Sequence, residues 1–215
     1  MNYNSKIEND YLIPQIDFER IFQIIHSVYY SVENNTTPNC MFYNLAGSFI
    51  LNCKYNIKAK PLIGGACFTL EQNPSHPLLL GLFIDNKLTS DNHNFHCWID
   101  TEDFMLDFTS PLYREYVKNA GGNYSVPRKM LQKRYNKMNS NLSNVGDFIL
   151  NPNKELTKEK IEEGLKNNIV IDLINICVEW FVKPPAEINK IFPIIDKDRK
   201  VKNFKLQEIK IMGSW

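Results

Sequence analysis

Residues 37–51, Thr-Pro-Asn-Cys-Met-Phe-Tyr-Asn-Leu-Ala-Gly-Ser-Phe-Ile-Leu, constrain the fold more than any other stretch. Met41, Phe42, Leu45, Ala46, Phe49 and Ile50 recur around nearly the whole circumference of a 3.6-residue helix. A helix apolar on most sides must be surrounded by protein, so the rest of the chain has to be built around this one. Thr37 is expected to cap it, with Pro38 at the first helical position, where a missing N–H is harmless. Cys40 then falls in the first turn, where unpaired N–H groups and the positive end of the helix dipole favour thiolate over thiol. A buried cysteine is more often packing than chemistry, so this helix alone does not make Cys40 a nucleophile.

The other 200 residues set the scale. A chain of 215 residues can bury a substantial core as one domain, and neither a repeat nor a break in composition divides it. The expectation is a single domain over 1–215, with a core at about 17–112 and helical and strand additions at 113–215. A net charge of +1 does not point to nucleic acid or an anionic membrane. The first ten residues lack the apolar stretch of a signal peptide, and no apolar run approaches the ~18 residues of a membrane span. Five cysteines (40, 53, 67, 97 and 177) without framework spacing fit free thiols in a reducing cytoplasm.

In chain order, residues 1–15 are expected to form an arm. Asp17 is expected to cap a helix whose core stripe is Ile21, Phe22, Ile25, Val28, Tyr29 and Val32, with His26 a structural or surface residue near its edge. After the Cys40 helix, residues 60–70 form a strand in which Gly64-Gly65 marks a bulge or a close backbone approach. Residues 78–84 give a short strand and 85–94 a polar loop. Residues 126–138 are expected to be helical within a basic segment, 113–144, whose charges read as a solvated face. Thr157 caps a helix to Leu165, residues 169–182 are strongly apolar and helical or partly extended, and 202–212 hold a late strand.

The segment Phe95-His96-Cys97-Trp98-Ile99-Asp100, Thr101-Glu102, Asp103-Phe104-Met105-Leu106-Asp107-Phe108 has the pattern of a β-hairpin. A turn centred between Thr101 and Glu102 pairs Phe95 with Phe108, Cys97 with Leu106 and Ile99 with Phe104, giving one wholly apolar face. The opposite face then pairs Trp98 with Met105 and His96 with Asp107, the latter with Cβ atoms about 5 Å apart. A one-residue slip would mix the faces.

A nucleophilic cysteine needs a base and a third group that fixes the base's tautomer. Cys40, His96 and Asp107 supply the three. The segments Asn-Cys-Met-Phe-Tyr-Asn-Leu-Ala-Gly, His-Cys-Trp-Ile-Asp and Leu-Asp-Phe-Thr-Ser-Pro, in that order, resemble the papain-like cysteine peptidase superfamily. Within it they resemble the transglutaminase-like and arylamine N-acetyltransferase-like branches with a Cys-His-Asp triad, and an uncharacterised bacterial family placed there. The resemblance covers residues 35–112. It implies an α+β, papain-like fold whose central helix carries the cysteine and packs on an antiparallel β-sheet. It also implies Cys40 as nucleophile, His96 as base and then acid, and Asp107 as the orienting carboxylate. The chemistry implied is hydrolysis or acyl transfer at an amide or peptide bond through a Cys40 thioester, without cofactor or metal. The papain pattern has a glutamine shortly before the cysteine. Here Asn34 or Asn35 would take its place as oxyanion donor beside the Cys40 N–H, with Trp98 a further candidate for substrate contact.

Three competitors are weaker. A zinc site from His93, His96 and Cys97, with Cys67 or Cys40, fails on strand geometry, since residues one or three apart point to opposite faces. In the basic segment the aromatic interleaving of a nucleic-acid surface is sparse, and the rest of the chain balances its charge. A papain-like scaffold without activity, serving as an interaction module, is favoured by the missing glutamine. Whether Cys40 is hyper-reactive separates that module from an enzyme.

Overall fold

The computed structural model describes residues 10–32, 37–71, 77–122 and 124–215. They form an α+β arrangement whose centre is the predicted buried helix, α2 (Asn39–Tyr55), packed between α1 (Gln15–Tyr30), α5 (Asn168–Trp180) and an antiparallel sheet. The helix ends as its sequence requires, with Asn56 in the left-handed region at φ 55°. Its start differs by one residue from expectation. Pro38, in an extended conformation, is the cap, and its carbonyl accepts from the N–H groups of Met41 and Phe42. Cys40 is thus the second helical residue. Thr37 instead offers its carbonyl to the Tyr29 hydroxyl.

The sheet is organised around β1 (Lys60–Phe68). Along one edge, its first half pairs with β5 (His96–Asp100) and its second half with β2 (Leu78–Leu80); β8 (Phe148–Pro152) runs along the other edge. Beyond β5 come β6 (Phe104–Asp107) and β7 (Leu131–Arg134). Gly64 lies where both edges are occupied, opposite His96 and Pro152. A Cβ there would stand 2.2 Å from the Asn151 carbonyl oxygen, so the Gly64-Gly65 pair serves close backbone approach. The two sheet faces carry separate apolar clusters. Cys97, Ile99, Phe104, Leu106 and Phe108 face α1, α2 and α5, whereas Trp98 and Met105 pack with Phe68, Tyr113, Phe148 and Trp215.

That division of faces follows the hairpin pattern, but the register is shifted by two residues. Ile99 pairs with Leu106 and Asp100 with Met105. The turn moves one residue along the chain because Thr101 closes it. Its N–H and hydroxyl both donate to the Phe104 carbonyl, and the same hydroxyl oxygen accepts from the Phe104 N–H. A shift of two leaves every side chain on its own face. His96 and Asp107 therefore become diagonal instead of direct neighbours.

Other corrections follow from tertiary pairing. Residues 126–138 form no α-helix, only a single 3-10 turn at Tyr135–Lys137. Leu131–Arg134 form β7 on the open edge of β6, and Gln132 from that strand holds the arm by accepting from Leu12 and Ile13 N–H and donating to the Ile13 carbonyl. The helix of this region is α3 (Tyr113–Asn119). Asn153, not Thr157, caps α4 (Lys154–Lys166), accepting from the Leu156 N–H. The 78–84 stretch breaks at Gly81, where φ is 142°, into β2 and β3 (Leu82–Ile84). β3 pairs with β4 (Lys87–Thr89) inside the expected loop. β9 (Ile191–Ile195) and β10 (Val201–Lys205) form a separate hairpin. No helix among the described residues is long and apolar enough to cross a membrane.

Candidate active site

Cys40 is brought to the sheet by the first turn of α2, and His96 by the first residue of β5, opposite Gly64. Asp107 closes β6. Exposures of 7%, 1% and 0% place all three inside the protein. The imidazole Nε2 lies 2.6 Å from Asp107 Oδ2. An ionised carboxylate can only accept, so Nε2 carries the proton, and Nδ1 is the nitrogen left for the Cys40 thiol, which adds to the rise in the imidazole pKa. The diagonal placement suffices because two extended side chains bridge a diagonal cross-strand gap.

Asp107 is saturated with donors. Oδ1 accepts from Asn44 Nδ2 at 2.9 Å, Thr109 N–H at 2.7 Å and Thr109 Oγ1 at 2.5 Å; Oδ2 accepts from His96 and from the Tyr113 hydroxyl at 2.5 Å. Burial by itself would raise its pKa, but the His96 charge and these hydrogen bonds outweigh it and hold the carboxyl below its ordinary value. For His96 burial acts to lower the pKa. The adjacent Asp107 charge and hydrogen bond, with a smaller contribution from Cys40, overcome it and raise the imidazole to about 10. The imidazole is thus oriented, and its protonated form is stabilised.

Asn44, one turn beyond Cys40, ties the pieces together. Its Nδ2 faces the carbonyls of Cys40 (3.0 Å) and Cys97 (2.7 Å) as well as Asp107, and its Oδ1 accepts from the Phe108 N–H at 3.0 Å. On the outer side of Cys40, Asn39 Oδ1 accepts from the Cys40 N–H at 2.8 Å and from the Tyr116 hydroxyl at 2.7 Å.

A family model described as "Protein of unknown function (DUF2026)" matches residues 14–215. The chain belongs to the DUF2026 family. A solved structure, "The crystal structure of genomics APC5867", is similar to this DUF2026 chain at 27% identity, covering 96% of it and 98% of the other chain with a TM-score of 0.82. No curated protein matches.

Of the residues singled out from sequence in this DUF2026 protein, Cys40, His96 and Asp107 come together. Trp98 does not join them as a substrate contact; it lies on their face of the sheet but, 1% exposed, is packed in the cluster with Phe68, Tyr113 and Met105. Asn34 and Asn35 lie outside the described residues. His93 sits in an exposed loop where its N–H donates to Asp91, and among the described residues no three His, Cys, Asp or Glu are placed to hold a metal ion. Sequence reasoning missed Asn39, Asn44, Thr109, Tyr113 and Tyr116. Asn44 carried a signal, being a polar residue four positions from Cys40 on an otherwise apolar helix. The two tyrosines carried none, since their spacing of three only gains meaning when α3 lies over Asp107.

Proposed function

We propose that this chain is a cysteine-dependent hydrolase or acyltransferase of papain-like type, acting on an amide or peptide bond through a thioester at Cys40. The observation that carries the reading is the line Asp107–His96–Cys40, in which a saturated buried carboxylate fixes the proton of His96 on Nε2 and leaves Nδ1 for the thiol. His96, whose protonated form Asp107 stabilises, holds the thiol's proton as imidazolium while Sγ attacks the acyl carbon. The imidazolium then returns that proton to the departing amine, leaving the acyl group on sulfur for water or a second amine to remove. Asp107 stays ionised throughout. The unbridged cysteines suit a reducing cytoplasm.

A second reading, an inactive scaffold used for binding, is favoured by the near-complete enclosure of Cys40 and His96. Alkylation by iodoacetamide at pH ~6, where an ordinary thiol with pKa ~8.5 is almost wholly protonated, separates the two. Three other cysteines are poor competitors, because burial pushes Cys67 up to about 11 and raises Cys97 and Cys177 further. Exposed Cys53 is the internal control. The enzyme reading expects label mainly on Cys40 and slower labelling of Cys40, but not of Cys53, in His96→Ala. Labelling of Cys40 no faster than Cys53, or unchanged by the histidine substitution, would replace the enzyme with the scaffold.

A further inference from the structure

Two donors converge on one oxygen beside the candidate nucleophile. The Cys40 N–H and the Tyr116 hydroxyl both point at Asn39 Oδ1, from 2.8 and 2.7 Å. These are the distances at which a preorganised donor pair holds the oxyanion of a tetrahedral intermediate, and tyrosine hydroxyls serve in such pairs. We infer that the Cys40 N–H and the Tyr116 hydroxyl form the oxyanion hole, and that the Asn39 carboxamide oxygen occupies it as an internal stand-in until substrate displaces it. This rests on the acyl-transfer reading above, and it fills the place left by the absent glutamine with a residue 76 positions beyond the cysteine.

The surroundings suit the role. Tyr116 stands one turn after Tyr113 on α3, with ring centroids 6.0 Å apart, and Tyr113 is pinned to Asp107. One short helix therefore aims one hydroxyl at the carboxylate and the next at the anion site. Burial, then the neighbouring Cys40 and Asp107 charges, raises the Tyr116 pKa, so its proton stays available for donation. Asn39 is the first helical residue and partly exposed, so its side chain can swing out without disturbing the core.

The stand-in also sharpens selectivity for the transition state. A substrate carbonyl is a neutral acceptor like the carboxamide oxygen it must replace, so the exchange gains little in the ground state. Once Sγ–C bonds and the carbonyl π pair moves onto oxygen, the hydrogen bonds become charge-assisted and roughly twice as strong. When the intermediate collapses, the C=O re-forms, the leaving group departs, and Asn39 can return.

The test uses p-nitrophenyl acetate on the whole chain. Sulfur gains the acetyl group, the ester C–O bond breaks, p-nitrophenolate leaves as the anion, and His96 keeps the thiol proton until water cleaves the thioester. Acetylation is followed by absorbance and intact mass, and iodoacetamide alkylation, which forms no oxyanion, is measured beside it. Tyr116→Phe is expected to slow acetylation about a hundredfold, and at least about tenfold more than it slows alkylation. Asn39→Ala, which vacates the hole while keeping both donors, is expected to raise the acetylation rate relative to alkylation. Equal slowing of both reactions by Tyr116→Phe, or loss of acetylation in Asn39→Ala, overturns the assignment, and the second outcome decides even if Tyr116→Phe does not fold. A wild-type Cys40 that takes no acetyl group and alkylates independently of His96 defeats the acyl-transfer reading, and the oxyanion hole falls with it. His96-dependent alkylation together with an indifferent Tyr116 defeats the hole alone.

Discussion

Replacing Asp107 with asparagine tests the buried network at its centre. All five groups that face the carboxylate donate to it, so an amide NH₂ must oppose some of them. The Oδ2 side is where this is tolerable, because Tyr113 can rotate its hydroxyl and His96 can move its proton to Nδ1. That tautomer presents N–H, not a lone pair, to Cys40, and the base is lost. The corresponding substitution in a serine protease triad lowers kcat by about 10⁴, and a loss of that order is expected here. Counting only the two bonds on the Oδ2 side, charge-assisted bonds worth about 1.5–3 kcal/mol each become neutral ones worth about 0.5–1.5. The resulting destabilisation of about 2–3 kcal/mol should lower Tm by roughly 4–12 °C in a chain of this size. The pH dependence has a definite sign. His96 stands at about 10 in the fold against an ordinary 6.5, so its pairing stabilises fully below 6.5 and is lost as pH rises toward 10. Asp107, held below its ordinary 3.8, keeps its contribution above that value and loses it in acid. Thermal melts of wild type and Asp107→Asn from pH 3 to 10 should therefore differ most between 3.8 and 6.5, the two ordinary values, and converge at both ends. A constant Tm gap across that range, or an Asp107→Asn protein that acylates like wild type, would refute the reasoning.

Two further outcomes probe the supports. Gly47→Ala puts a Cβ 2.2 Å from the buried Phe108 ring, which itself packs on Phe18 at 4.6 Å, so overpacking of about 1–3 kcal/mol should outweigh any gain in helix propensity; a urea midpoint at or above wild type would contradict this. His26 donates or accepts at 2.6 Å with the Tyr43 hydroxyl, and burial, then the Arg128 charge, lowers it to about 4. The unfolded chain protonates it at 6.5 and the fold does not until about 4, so stability falls as pH drops through that window, and His26→Gln should flatten the fall. Tm curves of unchanged slope would remove His26 as its source.

What could be read from the sequence was whatever depends on local period. The all-round apolarity of residues 40–51 specified a central helix, and period-two alternation in 95–108 assigned each hairpin residue to its face, so Cys40, His96 and Asp107 could be singled out before any coordinates. Alternation fixes parity but not register. The Thr101 hydroxyl moved the turn by one step and the pairing by two, which turned a direct His96–Asp107 pair into a diagonal one. Residues 131–134 are helix-compatible in isolation and became a strand because β6 offered an open edge of backbone donors and acceptors. The rest of the site depends on contacts between distant segments. Asn44 meets Asp107 across 63 residues, and Tyr116 meets Asn39 across 77. No period in the chain encodes such meetings, because they exist only once α2, the sheet and α3 have packed against one another. The sequence by itself determined which side chains could do chemistry at Cys40; tertiary packing decided which polar groups would surround them, since a buried carboxylate and a buried N–H must find partners wherever the fold brings them.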